Sequence, residues 1–151
     1  MPKTNIMKLS EEEIARRSEL SKDLFRKGFN CSQAVVAACS DLYGVDQDLA
    51  MRFSASFGGG IGRMRLTCGA ACGMFMLAGL ENGNTIPNEP NRKLINYELV
   101  RLLAQRFEQE NGGLVCAELI GLTGNAPKQK RPCPEMIAEA VKIYLSEIAE
   151  Q

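Results

Sequence analysis

Six cysteines and no histidine set the chemistry open to this chain. Four of them, Cys31, Cys68, Cys116 and Cys133, fall where helices are expected to begin. The second opens Cys68-Gly69-Ala70-Ala71-Cys72-Gly73, downstream of the glycine run Gly58-Gly59-Gly60-Ile61-Gly62. The thiolate is the nucleophilic and ligating form of cysteine, and its ordinary pKa is about 8.5. A helix N-terminus carries partial positive charge and unpaired N–H donors, both of which favour S⁻. One thiol so placed is ordinary, but four in a short chain point to a shared redox or metal site. Four thiolates together repel one another unless a cation or cluster neutralises them. Such a set can hold Zn²⁺ or an iron–sulfur cluster. It can also cycle as dithiol and disulfide pairs, which requires paired Cα atoms within about 7 Å. The spacings are 37, 48 and 17 positions and no Cys-x-x-Cys occurs, so neither a zinc ribbon nor a thioredoxin motif is supported. Convergence must come from the fold, and unrelated buried cysteines are the competing reading.

The remaining sulfurs and glycines have plainer roles. Cys39 lies among alanines inside a helix and reads as a small core residue. Cys72 follows Cys68 by one helical turn on the same face, so it lines the wall of the site or joins it. Gly59 and Gly60 sit in a run that either needs φ > 0 or turns its N–H groups toward anionic sulfur. Gly69, beside Cys68, lets neighbouring backbone come close. The run lacks both the Gly-Lys-Ser/Thr ending of a phosphate loop and the spacing of a dinucleotide fingerprint. Without histidine there is no imidazole base, zinc ligand or haem ligand, and a conventional hydrolase is not expected.

The totals bound the rest. One hundred and fifty-one residues, 45% apolar and 24% charged, suit a single soluble domain over 1–151, with residues 1–10 a flexible start. Eighteen basic residues balance eighteen acidic ones, which argues against nucleic acid or an anionic membrane as partner. Residues 1–10 lack the apolar core of a signal peptide, and the nearly apolar run 68–80 is shorter than the about 20 residues a bilayer needs. The expected location is the cytoplasm, where thiols serve as ligands or redox groups rather than structural disulfides.

The elements that must position the thiols read as all-α, five to seven helices in one bundle. Ser10 and Glu13 form a capping-box spacing for a helix to about Lys27, closed by Gly28. Asn30 caps a second helix from Cys31, and Asp46 a third to about Ser54, with Phe53 and Phe57 packing inward. Residues 68–80 make the central helix, after the glycine-rich loop. A long amphipathic helix from Asn91 to about Glu110 carries Ile95, Leu99, Leu102, Leu103 and Phe107 as its inner stripe. Such a stripe also suits a homodimer seam. Cys116 opens a short helix stopped by Gly121. Lys128, Lys130 and Arg131 form a small basic cluster that could favour a nearby thiolate. Cys133 is expected at an N-cap with Pro134 at N1, followed by Ile137, Val141, Tyr144 and Ile148 on one face. No stretch carries the alternation of a strand.

These residues resemble a redox-active family called after its C…GCAxxG…C…C pattern. Its central motif, read as Cys-Gly-Ala-x-x-Gly, stands here as Cys68 to Gly73. Cys31 in Gly28-Phe29-Asn30-Cys31-Ser32-Gln33-Ala34, Cys116 in Cys116-Ala117-Glu118-Leu119-Ile120-Gly121, and Cys133 before Pro134 supply the other cysteines. The resemblance implies four functional thiols, a redox role with a redox partner, and an accessory role beside a transporter. The family is also similar to the N-terminal part of split-Soret cytochromes c, which carry an iron–sulfur site besides haem. This chain lacks Cys-x-x-Cys-His, so no covalent haem is expected. The preferred expectation is an electron carrier or redox sensor with an iron–sulfur cluster on Cys31, Cys68, Cys116 and Cys133. A thiol–disulfide oxidoreductase and a Cys₄ zinc-stabilised binding module are the alternatives.

Overall fold

The structure, a computed structural model, describes residues 9–124 and 132–150. Seven α-helices run in order: α1 Glu11–Arg26, α2 Cys31–Cys39, α3 Gln47–Ser54, α4 Gly69–Asn82, α5 Pro90–Asn111, α6 Cys116–Leu119 and α7 Cys133–Ala149. Short 3₁₀ turns, Ser40–Tyr43 and Ala55–Phe57, follow α2 and α3. The fold is all-α. Among the described residues the β-type pairing is a single antiparallel bridge between Thr67 and Val115.

Local chemistry accounts for the helix ends. The Glu13 N–H donates to Ser10 Oγ at 3.1 Å. The carboxylate of Glu13 turns to Arg16 and Arg17 rather than back to Ser10, so only half of that capping box forms. At α2 both halves form: Gln33 N–H donates to Asn30 Oδ1 at 2.9 Å, and Asn30 N–H to Gln33 Oε1 at 3.0 Å. Gly28 takes φ of 110°, which lets the chain turn from α1 into α2.

Helix α4 is apolar on nearly every side and lies at the centre, packed by α2, α5 and α7. At Gly73 an added Cβ would meet Val35 Cβ at 2.8 Å, so this glycine sets how near α2 can come. Helix α1 closes the bundle against α7 and α2. Ile137, Val141, Tyr144 and Ile148 all face the core. Arg17 ties α1 to α2, donating to the Ala38 carbonyl at 2.9 Å and to Asp41 at 2.6 Å.

Three details differ from the sequence reading. Phe53 is exposed, because α3 buries Ala50 and Ser54 and Phe53 lies about 100° around the helix from that line. On α5 the buried line is Leu99, Leu103, Phe107 and Asn111. Leu102 stands off it, and Ile95 is exposed one turn before it begins. Cys133 is the first helical residue of α7 rather than its cap, Pro132 taking the cap position. Lys128, Lys130 and Arg131 fall outside the described residues, as does most of the 1–10 segment. No described helix is long and apolar enough to cross a membrane.

Candidate functional site

Cys31, Cys68, Cys116 and Cys133 all line one cavity of about 460 Å³. Three of them are the first residue of their helix, and Cys68 is the N-cap of α4. Three devices hold them there.

Cys31 is fixed by the double cap at Asn30, whose Nδ2 also donates to the Ala55 carbonyl at 2.8 Å. Gln33 Nε2 reaches the Met51 carbonyl at 3.1 Å, so the start of α2 is tied to the end of α3. Cys68 and Cys116 are clamped together across the Thr67–Val115 bridge. Cys68 N–H donates to the Leu114 carbonyl at 2.7 Å, and Cys116 N–H to the Leu66 carbonyl at 2.6 Å. Cys133 is carried by the first turn of α7, whose next turn places Met136 and Ile137 on the cavity wall.

Glycine makes these approaches possible. The Cys31 sulfur lies where a Cβ on Gly69 would stand, and a Cβ on Gly60 would meet Cys116 Cβ at 2.6 Å. Gly59 and Gly69 line the cavity, whereas Gly60 and Cys72 do not. The Cys72 thiol donates to the Thr67 carbonyl at 3.8 Å, beside the cavity rather than on it. Cys39 is fully buried in the core.

The glycine run is a left-handed stretch. Gly59, Gly60, Ile61, Gly62 and Arg63 have φ of 65°, 73°, 65°, 57° and 60° in succession. The amides at its far end bond to backbone: Gly62 N–H to the Ser56 carbonyl at 2.8 Å, Arg63 N–H to Gly58 at 3.2 Å and, beyond the run, Leu66 N–H to Gly60 at 2.9 Å. Positive φ with close approach describes the run, and the amides of Gly62, Arg63 and Leu66 go to backbone rather than to sulfur.

Two opposed effects act on the thiols. The Ala71 and Ala70 N–H dipoles at the start of α4 favour the Cys68 thiolate, although no side-chain cap hydrogen bond closes there. Burial opposes them and wins, pushing Cys68 up to about 12, with the neighbouring Cys31 and Cys116 sulfurs adding to the shift. Cys133 is also raised, chiefly by burial, then by Cys31 and Cys116, with Arg65 working against them. Burial, then Cys31, holds Cys72 at about 11. Helix starts alone do not favour the thiolates of Cys68 and Cys133 over burial; a bound cation would. Cys68 and Cys116 are buried, while Cys31 and Cys133 are half-exposed, so the cavity has a deep and a shallow pair.

Sequence reasoning missed Arg63 and Arg65, which line the cavity with Phe25, Phe29 and Leu119. Arg65 Nη1 donates to Cys116 Sγ at 3.6 Å. Their one signal in the sequence is their place directly behind the glycine run.

Residues 29–147 match the family described as "Putative redox-active protein (C_GCAxxG_C_C)". The chain belongs to that family. All four cavity cysteines fall inside the matched region. The name's letters run Gly-Cys-Ala-x-x-Gly, whereas this C_GCAxxG_C_C chain has Cys68-Gly69-Ala70, with Ala70 and Gly73 in register. A relative from Archaeoglobus fulgidus, described as an uncharacterized protein, is 26% identical over 148 residues, covering 93% of this chain and 98% of its own length. No solved structure matches.

Proposed function

We propose that Cys31, Cys68, Cys116 and Cys133 form one redox centre that carries or senses electrons through an iron–sulfur cluster. The observation that carries this reading is that four sulfurs far apart in sequence line one cavity. A tetrahedral zinc site with bonds near 2.3 Å needs its sulfurs within about 3.8 Å of each other. A cluster distributes its thiolates over several iron atoms and fits sulfurs arranged around a space. Bound iron would supply one-electron chemistry; the chain supplies the thiolates, the apolar wall and the two arginines.

One observation favours a second reading, thiol–disulfide exchange. Cys31 and Cys133 are half-exposed, so a soluble thiol or disulfide can reach them.

Purification without oxygen, followed by iron and acid-labile sulfide assays, separates the two. The cluster reading expects a coloured protein holding iron and sulfide in comparable amounts, with visible absorption that bleaches on reduction. Colourless, iron-free protein after reconstitution overturns it. An intramolecular disulfide formed by that same material under mild oxidant then establishes the exchange reading.

A further inference from the structure

Arg63 and Arg65 supply the charge on the described lining of the thiol cavity; no Asp, Glu or Lys joins them there. Elsewhere Arg16, Arg17, Arg26, Arg52, Arg92 and Arg106 each meet a carboxylate. Among the described residues no ion pair reaches Arg63 or Arg65. The side-chain bond of Arg65 goes to Cys116 Sγ at 3.6 Å, and a thiol is a weak acceptor. Most of the N–H donors of the two guanidinium groups are therefore free to serve something else.

The backbone that presents them is held in an unfavourable form. Ile61, Arg63 and Arg65 have φ of 65°, 60° and 61°. Left-handed backbone costs a non-glycine residue about 1–2 kcal/mol. It persists here because Arg63 N–H bonds the Gly58 carbonyl, Arg65 N–H bonds Gly59 at 3.2 Å, and the Arg65 carbonyl accepts from Ala117 N–H at 3.2 Å. The last bond pins Arg65 to α6, directly beside Cys116. Strain fixed in this way gathers at ligand clamps. Behind the arginines the wall is apolar, with Phe29, Met136 and Ile137, and the cavity of about 460 Å³ is of small-molecule size. A guanidinium fork matches carboxylate and phosphate oxygens; Arg65 is half-buried beside the apolar wall and Arg63 is exposed at the rim.

We propose that this cavity takes a small organic anion, with its carboxylate or phosphate group on Arg63 and Arg65 and its body against the apolar wall, next to the thiols. This names the ligand class of the redox centre and rests on that reading for its purpose. Anion affinity needs no metal, however, so it fails or succeeds independently of cluster assembly.

The test alkylates the reduced, metal-free, full-length chain with iodoacetate and, separately, with its neutral isostere iodoacetamide, mapping the modified cysteines by mass spectrometry. In both reactions a carbon–sulfur bond forms as the carbon–iodine bond breaks and iodide leaves with the electron pair. The ratio of the two rates cancels thiolate nucleophilicity and reports attraction for the anion. At the cavity cysteines the ratio is expected about tenfold above that of free cysteine. It should fall toward the free value in Arg63→Gln and Arg65→Gln and be largely kept in Arg65→Lys. At constant ionic strength, saturable protection by inorganic phosphate marks a phosphate site, and protection by succinate a carboxylate site. A wild-type ratio equal to that of free cysteine, or one unchanged by either Gln variant, overturns the proposal. Should the Gln variants fail to fold, the wild type decides: saturable protection by either anion supports the site, and its absence removes it.

Discussion

At the scale of single residues, the site depends on two atoms that are not there. Gly69 has no Cβ where the Cys31 sulfur lies, and Gly60 has none against Cys116. Gly69→Ala puts a methyl carbon into that sulfur, and forcing extra volume into packed surroundings costs about 1–3 kcal/mol. The expected outcome is a folded but less stable chain that binds less than half the wild-type iron, read by metal analysis and urea denaturation. Gly79→Ala is the matched control, since a Cβ there meets nothing within 4 Å. Wild-type iron content in Gly69→Ala would mean that the Cys31 sulfur moves freely and that the close approach has no role.

At the scale of elements, the starts of helices were legible and their rotations were not. Ser10, Asn30 and Asp46 announce α1, α2 and α3 because a cap is a local event between residues three apart. Cys31 was legible for the same reason, whereas Cys68, Cys116 and Cys133 begin helices that have no side-chain cap. Which face of α3 or α5 turns inward depends on neighbours distant in sequence, so Phe53 and Leu102 could not be placed from periodicity alone. The Arg63 and Arg65 positions were hidden because non-glycine residues at positive φ are rare, and their place behind the glycine run does not tell which way they turn. Helices α4 and α7 meet the turn after α2 through buried hydroxyls: Tyr144 OH donates to the Leu77 carbonyl at 2.9 Å and lies 2.5 Å from Tyr43 OH. Tyr144→Phe leaves Tyr43 without its partner in the core, a loss of about 1–3 kcal/mol. A lower urea midpoint with unchanged iron content is the expected result; unaltered stability would show that water replaces the lost hydroxyl.

For the whole molecule, the buried thiols make stability depend on alkaline pH. Burial holds Cys39 and Cys68 at about 12 in the folded chain, against an ordinary value near 8.5 when unfolded. The folded state keeps these protons longer, so the contribution is complete below about pH 8.5 and is lost as pH rises toward 12. In that window each thiol lowers stability by up to about 1.4 kcal/mol per pH unit. Urea midpoints of metal-free protein should therefore be flat from pH 7 to 8 and fall steeply above 9, less steeply in Cys39→Ala. A flat profile to pH 11 would contradict the burial of these sulfurs. The same fold that buries them also gathers Cys31, Cys68, Cys116 and Cys133 around one space, and that gathering is the central claim. It is tested most directly by iron content, after anaerobic reconstitution, of six single Cys→Ser variants. The account predicts that Ser at 31, 68, 116 or 133 lowers bound iron severely, while Cys39→Ser and Cys72→Ser retain it. Equal retention by all six, or loss confined to Cys72→Ser, would contradict it.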